Sequence, residues 1–229
     1  MSKAIAFERA VRFWDAPIGK KAVMAVTGLI LFGFVIAHML GNLQLFLPRG
    51  ASGKYPIDEY AEALRHNMAL LWTARAVLVA AVVLHITAAV ELTKIKSDSR
   101  PVAYQKKQDV GSSYASRTMM WSGPMIACFL VYHLLHFTAG TVHPQFRDLQ
   151  VHHNVVTGFQ NIYASLAYIA AMLMLGPHLF HGVWSMFQSL GVAHPRYTPL
   201  LRGFAKCAAI AVTVGNISLP VAVLSGVIR

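Results

Sequence analysis

The chain has 229 residues, 56% hydrophobic and only 13% charged, with a net charge of +11. Soluble domains carry about a quarter charged residues, so an ordinary soluble globular domain is excluded and a membrane protein is indicated. Nucleic acid is not implied by the basic excess, because Lys and Arg fall between apolar runs and form no single patch.

In the first twenty residues Glu8, Arg9, Arg12 and Asp15 interrupt any apolar core, so a cleaved leader is not expected. Residues 1–21 read instead as a cytoplasmic amphipathic segment. Its RAVRFWDAPIGKK stretch suits a membrane surface or a partner subunit. Charge-free runs then occupy 22–48, 76–90, 118–146, 149–195 and 207–228. A helical span needs about 20 mostly apolar residues. The runs therefore predict an all-α integral membrane protein with five transmembrane helices, at about 22–47, 68–93, 118–140, 155–190 and 204–227. The fourth run reads as one long helix with a kink at Gly176-Pro177. The whole chain reads as a single domain.

With five spans, fourteen of the twenty Lys and Arg residues fall on one side. The positive-inside rule puts that side, and the N-terminus, in the cytoplasm, with the C-terminus outside. The 48–67 connection, with Asp58, Glu59 and Glu62, becomes the longest outer loop. Arg75 near the outer end of the second span reads either as snorkelling to the headgroups or as binding an anionic cofactor group. Lys20, Lys21 and Arg117 at the inner ends read mainly as topology determinants. The two cysteines, Cys128 and Cys207, sit in apolar runs, so neither a disulfide nor a covalent C-x-x-C-H haem site is expected.

Histidines carry the chemistry. His38, His85, His133, His136, His178 and His181 all lie within spans, where a polar residue is costly and marks function by default. A single membrane histidine is as readily an interhelical hydrogen bond. Four consecutive helices each bearing one are harder to explain that way. His38 is 17 residues past Lys21 and His133 is 16 past Arg117, so both lie roughly 25 Å from the inner face. His85 is 9 residues before Lys94 and His178 is 13 before Gly191, which places them roughly 14 and 20 Å from that face. Depth therefore sorts an outer pair, His38/His133, from a looser inner pair, His85/His178. The outer pair shares a Phe–His echo, Phe34/His38 and Phe129/His133, which favours His133 over His136.

Two histidine pairs on facing helices suit a four-helix cofactor bundle. No Asp or Glu lies beside them for a carboxylate metal site. A bis-histidine b-type haem carries electrons, since both axial positions are filled. Gly28, Gly33, Gly41, Ala88, Gly123 and Gly182 are small enough to admit the ring. Two haems b at different depths make a transmembrane electron path.

The stretches IGKKAVMAVTGLILFGFVIAHMLGNLQLF, DEYAEALRH, VVLHITAAVELT, SRTMMWSGPMIACFLVYHLLHF and HLFHGVWSMFQSLG occur in this order from Ile18 to Gly191. As an ordered set they resemble the cytochrome b subunit of succinate dehydrogenase/fumarate reductase, of the dihaem, five-helix, single-chain type. The resemblance implies an electron-transfer membrane anchor for a flavoprotein and an iron–sulfur subunit in the inner (cytoplasmic) membrane. It implies a quinone, often menaquinone, as substrate, with succinate chemistry confined to the partners. The family's ligand positions fall on His38, His85, His133 and His178. Some members carry an acid two positions before the fourth ligand, where this chain has Gly176. The resemblance leaves a higher oligomer of the complex open. Two other readings stay open: the anchor of a quinone-linked hydrogenase or formate dehydrogenase, and a transporter without cofactor. His136 and His181, one turn past the proposed ligands, read either as binding haem propionates or quinone or, more simply, as interhelical hydrogen-bonding groups, and His143, His152, His153 and His194 lie outside the spans.

Overall fold

A computed structural model describes residues 12–99, 114–192 and 194–229. Most of the amphipathic segment, and the basic residues Arg100, Lys106 and Lys107, lie outside them. The described chain is helical throughout, with no strand. Helix α1 (Pro17–Asn42) ends in a 3₁₀ turn, Leu43–Phe46, and is followed by the short α2 (Pro56–His66), α3 (Met68–Asp98) and α4 (Tyr114–His133). A π turn, Leu134–Thr138, extends α4, and α5 (Val151–Gln160), α6 (Ile162–Ser189) and α7 (Thr198–Leu224) complete the fold. Five helices are long and apolar enough to cross a membrane: α1, α3, α4 with its π turn, α6 and α7.

Boundaries follow local chemistry. Proline at the first turn starts α1, five residues earlier than the charge-free run, so Lys20 and Lys21 lie inside the helix. Lys20 is nonetheless buried: its Nζ donates to the Trp14 carbonyl at 2.6 Å and pairs with Glu91 of α3 at 3.1 Å. The fourth apolar run is two helices instead of one. Asn161 takes an extended backbone (ψ 112°), and its Oδ1 accepts from the N–H groups of Tyr163 and Ala164 at 3.0 and 3.3 Å. This is an N-cap, which satisfies donors that α6 leaves open. Ser165 Oγ donates back to the Phe159 carbonyl at 2.6 Å, closing the end of α5. Gly176-Pro177, the expected kink, lies within the unbroken span of α6.

The long helices pack by small residues, as helices do in lipid. On α3 only Ala81 and Ala88 are buried, seven residues apart on one stripe, while Val79, Val83 and Val90 face outward. Gly176 lets α6 approach α7 closely: a Cβ there would lie 2.6 Å from Thr213 Oγ1. Helix α1 packs on α3, α4 on α6, and α1 on α6, with α7 against α6. Among the described residues α3 and α4 are not closely packed. Thr93 Oγ1 on α3 reaches the Met120 sulfur on α4 at 3.6 Å. The bundle is two helix pairs, α1/α3 and α4/α6, joined where α1 packs on α6 and open between α3 and α4; the boundary between the pairs is called the seam.

One end carries Lys20, Lys21, Lys94, Lys96, Arg196, Arg202 and Lys206, and is called the basic end. The other is capped by α2, α5 and the loop 139–150. There Asp58 Oδ1 accepts the His152 backbone N–H at 2.9 Å, so α2 caps α5. Asn154 grips the loop through both side-chain atoms, donating to the Arg147 carbonyl at 2.7 Å and accepting its N–H at 2.8 Å. Leu45, Ile57, Val156, Phe159, Tyr168 and Leu219 form a core beneath this cap. Both cysteines are free and exposed.

Candidate functional site

The four depth-sorted histidines line the seam. Each is half-buried. His38 and His133 meet across it, edge to face, with ring centroids 5.7 Å apart. The Phe–His echo is a real contact on both helices: Phe34 stacks on His38 with centroids 5.3 Å apart, and Phe129 lies 5.9 Å from His133. The second pair is looser. His85 on α3 and His178 on α6 are close enough to interact electrostatically.

Three of the four rings are held through Nδ1 by a hydroxyl from a neighbouring helix. Thr27 Oγ1 on α1 lies 3.1 Å from His85 Nδ1, while its own proton is engaged by the Val23 carbonyl at 2.7 Å. The imidazole must therefore be the donor, which leaves Nε2 unprotonated. Ser122 Oγ on α4 lies 3.3 Å from His178 Nδ1 and reaches the Met119 carbonyl at 3.5 Å. Tyr168 Oη on α6 lies 3.2 Å from His133 Nδ1. A hydrogen bond at one imidazole nitrogen is what sets the other free to bind a metal.

This donor set fits a ring that supplies its own equatorial ligands. Among the described residues no three His, Cys, Asp or Glu side chains gather at one point. Two facing imidazoles alone satisfy a haem, whose remaining ligands are its own nitrogens. A Cβ added at Gly33, Gly123 or Gly182 would meet nothing within 4 Å, and one at Gly28 would sit 3.4 Å from the His85 ring. Gly41 differs, lying against the Tyr60 ring of α2 with 2.9 Å to a built Cβ, so it serves helix packing.

The other histidines have separate roles. His136, one turn beyond His133, lies in the π turn and places Nδ1 3.1 Å from the same Tyr168 hydroxyl. His181 bonds Ser185 on its own helix at 3.2 Å, where the sequence suggested a neighbouring one. His143 Nε2–H donates to the Asn154 carbonyl at 2.8 Å, and its Nδ1 accepts the Gln145 N–H at 3.2 Å. His153 Nε2–H donates to the Gln145 carbonyl at 3.1 Å, and His194 Nδ1 accepts the Arg196 N–H at 3.2 Å. His152 stacks on Tyr55 with centroids 3.4 Å apart. Burial holds its pKa below the usual histidine value, reinforced by Arg49 and His153 and opposed by Asp58.

Charged groups singled out from the sequence are engaged in structure. Asp58 caps α5, Glu59 bonds Ser52, and Glu62 pairs with Lys54 at 2.7 Å. Arg75 lies over the Trp72 ring, 4.9 Å from its centroid. Sequence reasoning missed Thr27, Ser122 and Tyr168. A hydroxyl inside an apolar run is the available signal, but Thr73, Thr87 and Thr93 carry it too and turn back onto their own helix. Comparison of the chain with protein-family models, curated proteins and solved structures returns no match to any of them.

Proposed function

We propose that this chain is the dihaem cytochrome b anchor of a succinate:quinone oxidoreductase. It would carry electrons between an iron–sulfur subunit and membrane quinone. The observation that supports it best is the pairing of histidines across the seam, with three of the four Nδ1 atoms 3.1–3.3 Å from a hydroxyl on a neighbouring helix. His38 and His133 would hold the outer haem b, and His85 and His178 the inner one. When bound, these groups supply reversible one-electron transfer. The protein's own part is to orient the four rings, fix their tautomers and exclude water with apolar helices.

Orientation follows the charge. The basic end faces the cytoplasm and meets the flavoprotein and iron–sulfur subunits, and the α2/α5 cap faces outside. Quinone, often menaquinone in the resembling family, enters from the bilayer. The test is a reduced-minus-oxidised spectrum of membranes containing the intact complex. Succinate should produce a b-type α-band with two components. Reduction by hydrogen or formate but not succinate would assign the anchor to another quinone-linked enzyme. A preparation with no b-type band would remove the cytochrome reading.

A further inference from the structure

A cavity of about 290 Å³ opens at the capped end, between the π turn, the loop 139–150 and the junction of α5 with α6. Tyr132, His136, Gln145, Gln160 and Asn161 make its lining polar, and among the described residues no Lys, Arg, Asp or Glu lines it. Next to it runs an apolar groove of about 280 Å³ between α4 and α6, lined by Met125, Cys128, Phe129, Ala167 and Ala171. Tyr132 borders both spaces, so socket and groove follow one another along a single helix interface. Their order matches a bilayer. His136 is 19 residues past Arg117, and Met125 is 8 past it. These positions lie roughly 28 and 12 Å from the basic end of the helix. A hydrocarbon core is about 30 Å thick, so the socket sits at headgroup level and the groove lies within the hydrocarbon.

The socket holds a buried polar edge that the protein leaves unmet. His136 is 3% exposed. Its ring stacks on Tyr132 and on His143, with centroids 5.3 and 5.0 Å apart, and its Nδ1 lies 3.1 Å from the Tyr168 hydroxyl. Its Nε2 makes no hydrogen bond to protein among the described residues, and neither do the Tyr132 hydroxyl and the Gln160 amide. A buried polar atom without a partner is costly, so the socket calls for an occupant that bonds there. Hydroxyls fit this lining best. A hydroxyl both donates and accepts, so it meets Nε2 in either imidazole tautomer and meets the amides as well. A charged headgroup would find no counter-charge in the socket.

We infer that socket and groove together bind one membrane lipid with an uncharged, hydroxyl-bearing head. Its hydroxyls bond His136 Nε2 and the Gln160 amide, and its acyl chain lies in the α4/α6 groove. An acyl chain alone would not need a buried polar edge at its end, and a polar solute alone would leave the groove unused. None of the four seam histidines contributes to this site, so it stands with any cofactor or none.

The experiment uses the full-length chain, with the subunits that co-purify, in phosphatidylcholine vesicles. The probe is a monoacylglycerol carrying a diazirine in its acyl chain. Label is expected in residues 125–136 and 160–171, displaced by unlabelled monoacylglycerol but not by the methyl ester of the same fatty acid, which cannot donate. His136→Leu should weaken probe binding about tenfold, the equivalent of one lost hydrogen bond. His136→Gln, whose amide both donates and accepts, should bind nearly as wild type. Ala167 is exposed, so Ala167→Phe should fill the groove and remove the label while melting as wild type does. Label spread evenly over all lipid-facing helices overturns the site, as does unchanged labelling in Ala167→Phe. Equal displacement by the methyl ester, or by a short-chain naphthoquinone that only accepts, overturns recognition of a hydroxyl-bearing head.

Discussion

His38 and His133 face one another across the seam with ring centroids 5.7 Å apart, although 95 residues separate them in the chain. Sequence depth had paired them without any knowledge of which helices would be neighbours. If each pair holds one cofactor, the pairing itself is testable. His38→Ala should remove about half of the b-type absorbance, and adding His133→Ala should remove no more, since both serve one site. Combining His38→Ala with His85→Ala should remove all of it. Pyridine haemochrome content per complex reads the outcome.

Thr27 tests the role of the hydroxyls. Its side chain meets His85 Nδ1 at 3.1 Å. Thr27→Val keeps the shape and removes the acceptor, leaving a buried N–H unpaired. The expected cost is about 1–3 kcal/mol of stability, with a shifted inner-haem midpoint. Thr27→Ser should restore both. Redox titration beside thermal denaturation separates this from simple packing loss, which would leave the potential unchanged.

How much of this was legible in the sequence depends on what kind of signal each feature leaves. The five long helices could be read because lipid forbids charge over twenty residues, and that leaves gaps in the Lys, Arg, Asp and Glu pattern. The break at Asn161 could not be read that way, because residues 149–195 contain no charge to mark it. Its signal was a cap residue, weak on its own. Lys20 shows the reverse: its charge suggested a boundary, yet it is buried inside α1 because Glu91 and two backbone carbonyls satisfy it. Tyr168 was invisible because a tyrosine in an apolar run looks like any other aromatic. Only the packing of α6 on α4 brings it to His133 and His136.

Gly176 stands where some members of the resembling family carry an acid, and the packing shows what a side chain would meet there. A built Cβ lies 2.6 Å from Thr213 Oγ1. Gly176→Ala should destabilise the bundle by about 1–3 kcal/mol. Thr213→Ala should recover much of that in the double variant. A Gly176→Ala protein that melts like wild type would contradict the close α6–α7 approach.

Asn161→Ala should cost about 1 kcal/mol, the usual value for a lost N-cap. Since α5 and α6 meet at this residue, the loss should also raise hydrogen exchange at Tyr163 and Ala164, whose N–H groups it accepts. Unchanged exchange there would mean that water replaces the cap.

His152 gives a pH dependence. Burial depresses its pKa in the folded chain, with Arg49 and His153 adding to the effect and Asp58 opposing it. The folded state therefore binds its proton less readily than the unfolded one. The stability that His152 contributes is complete above the ordinary value of about 6.5. It is lost as pH falls from there toward the depressed value. Melting temperature should fall on acidification, and His152→Phe, which can still stack on Tyr55, should flatten that limb. An identical acid limb in the variant would assign the effect to another group.

The seam has a consequence for biogenesis. Spans α1 and α3 are consecutive, as are α4 and α6, so membrane insertion delivers the bundle as two hairpins in order. The first carries His38 and His85, and the second carries His133 and His178. Neither hairpin holds a complete pair. On the proposed reading each haem is a staple between the halves, so loading the cofactors and closing the bundle become one event. Haem supply would then set the yield of assembled protein as well as its colour.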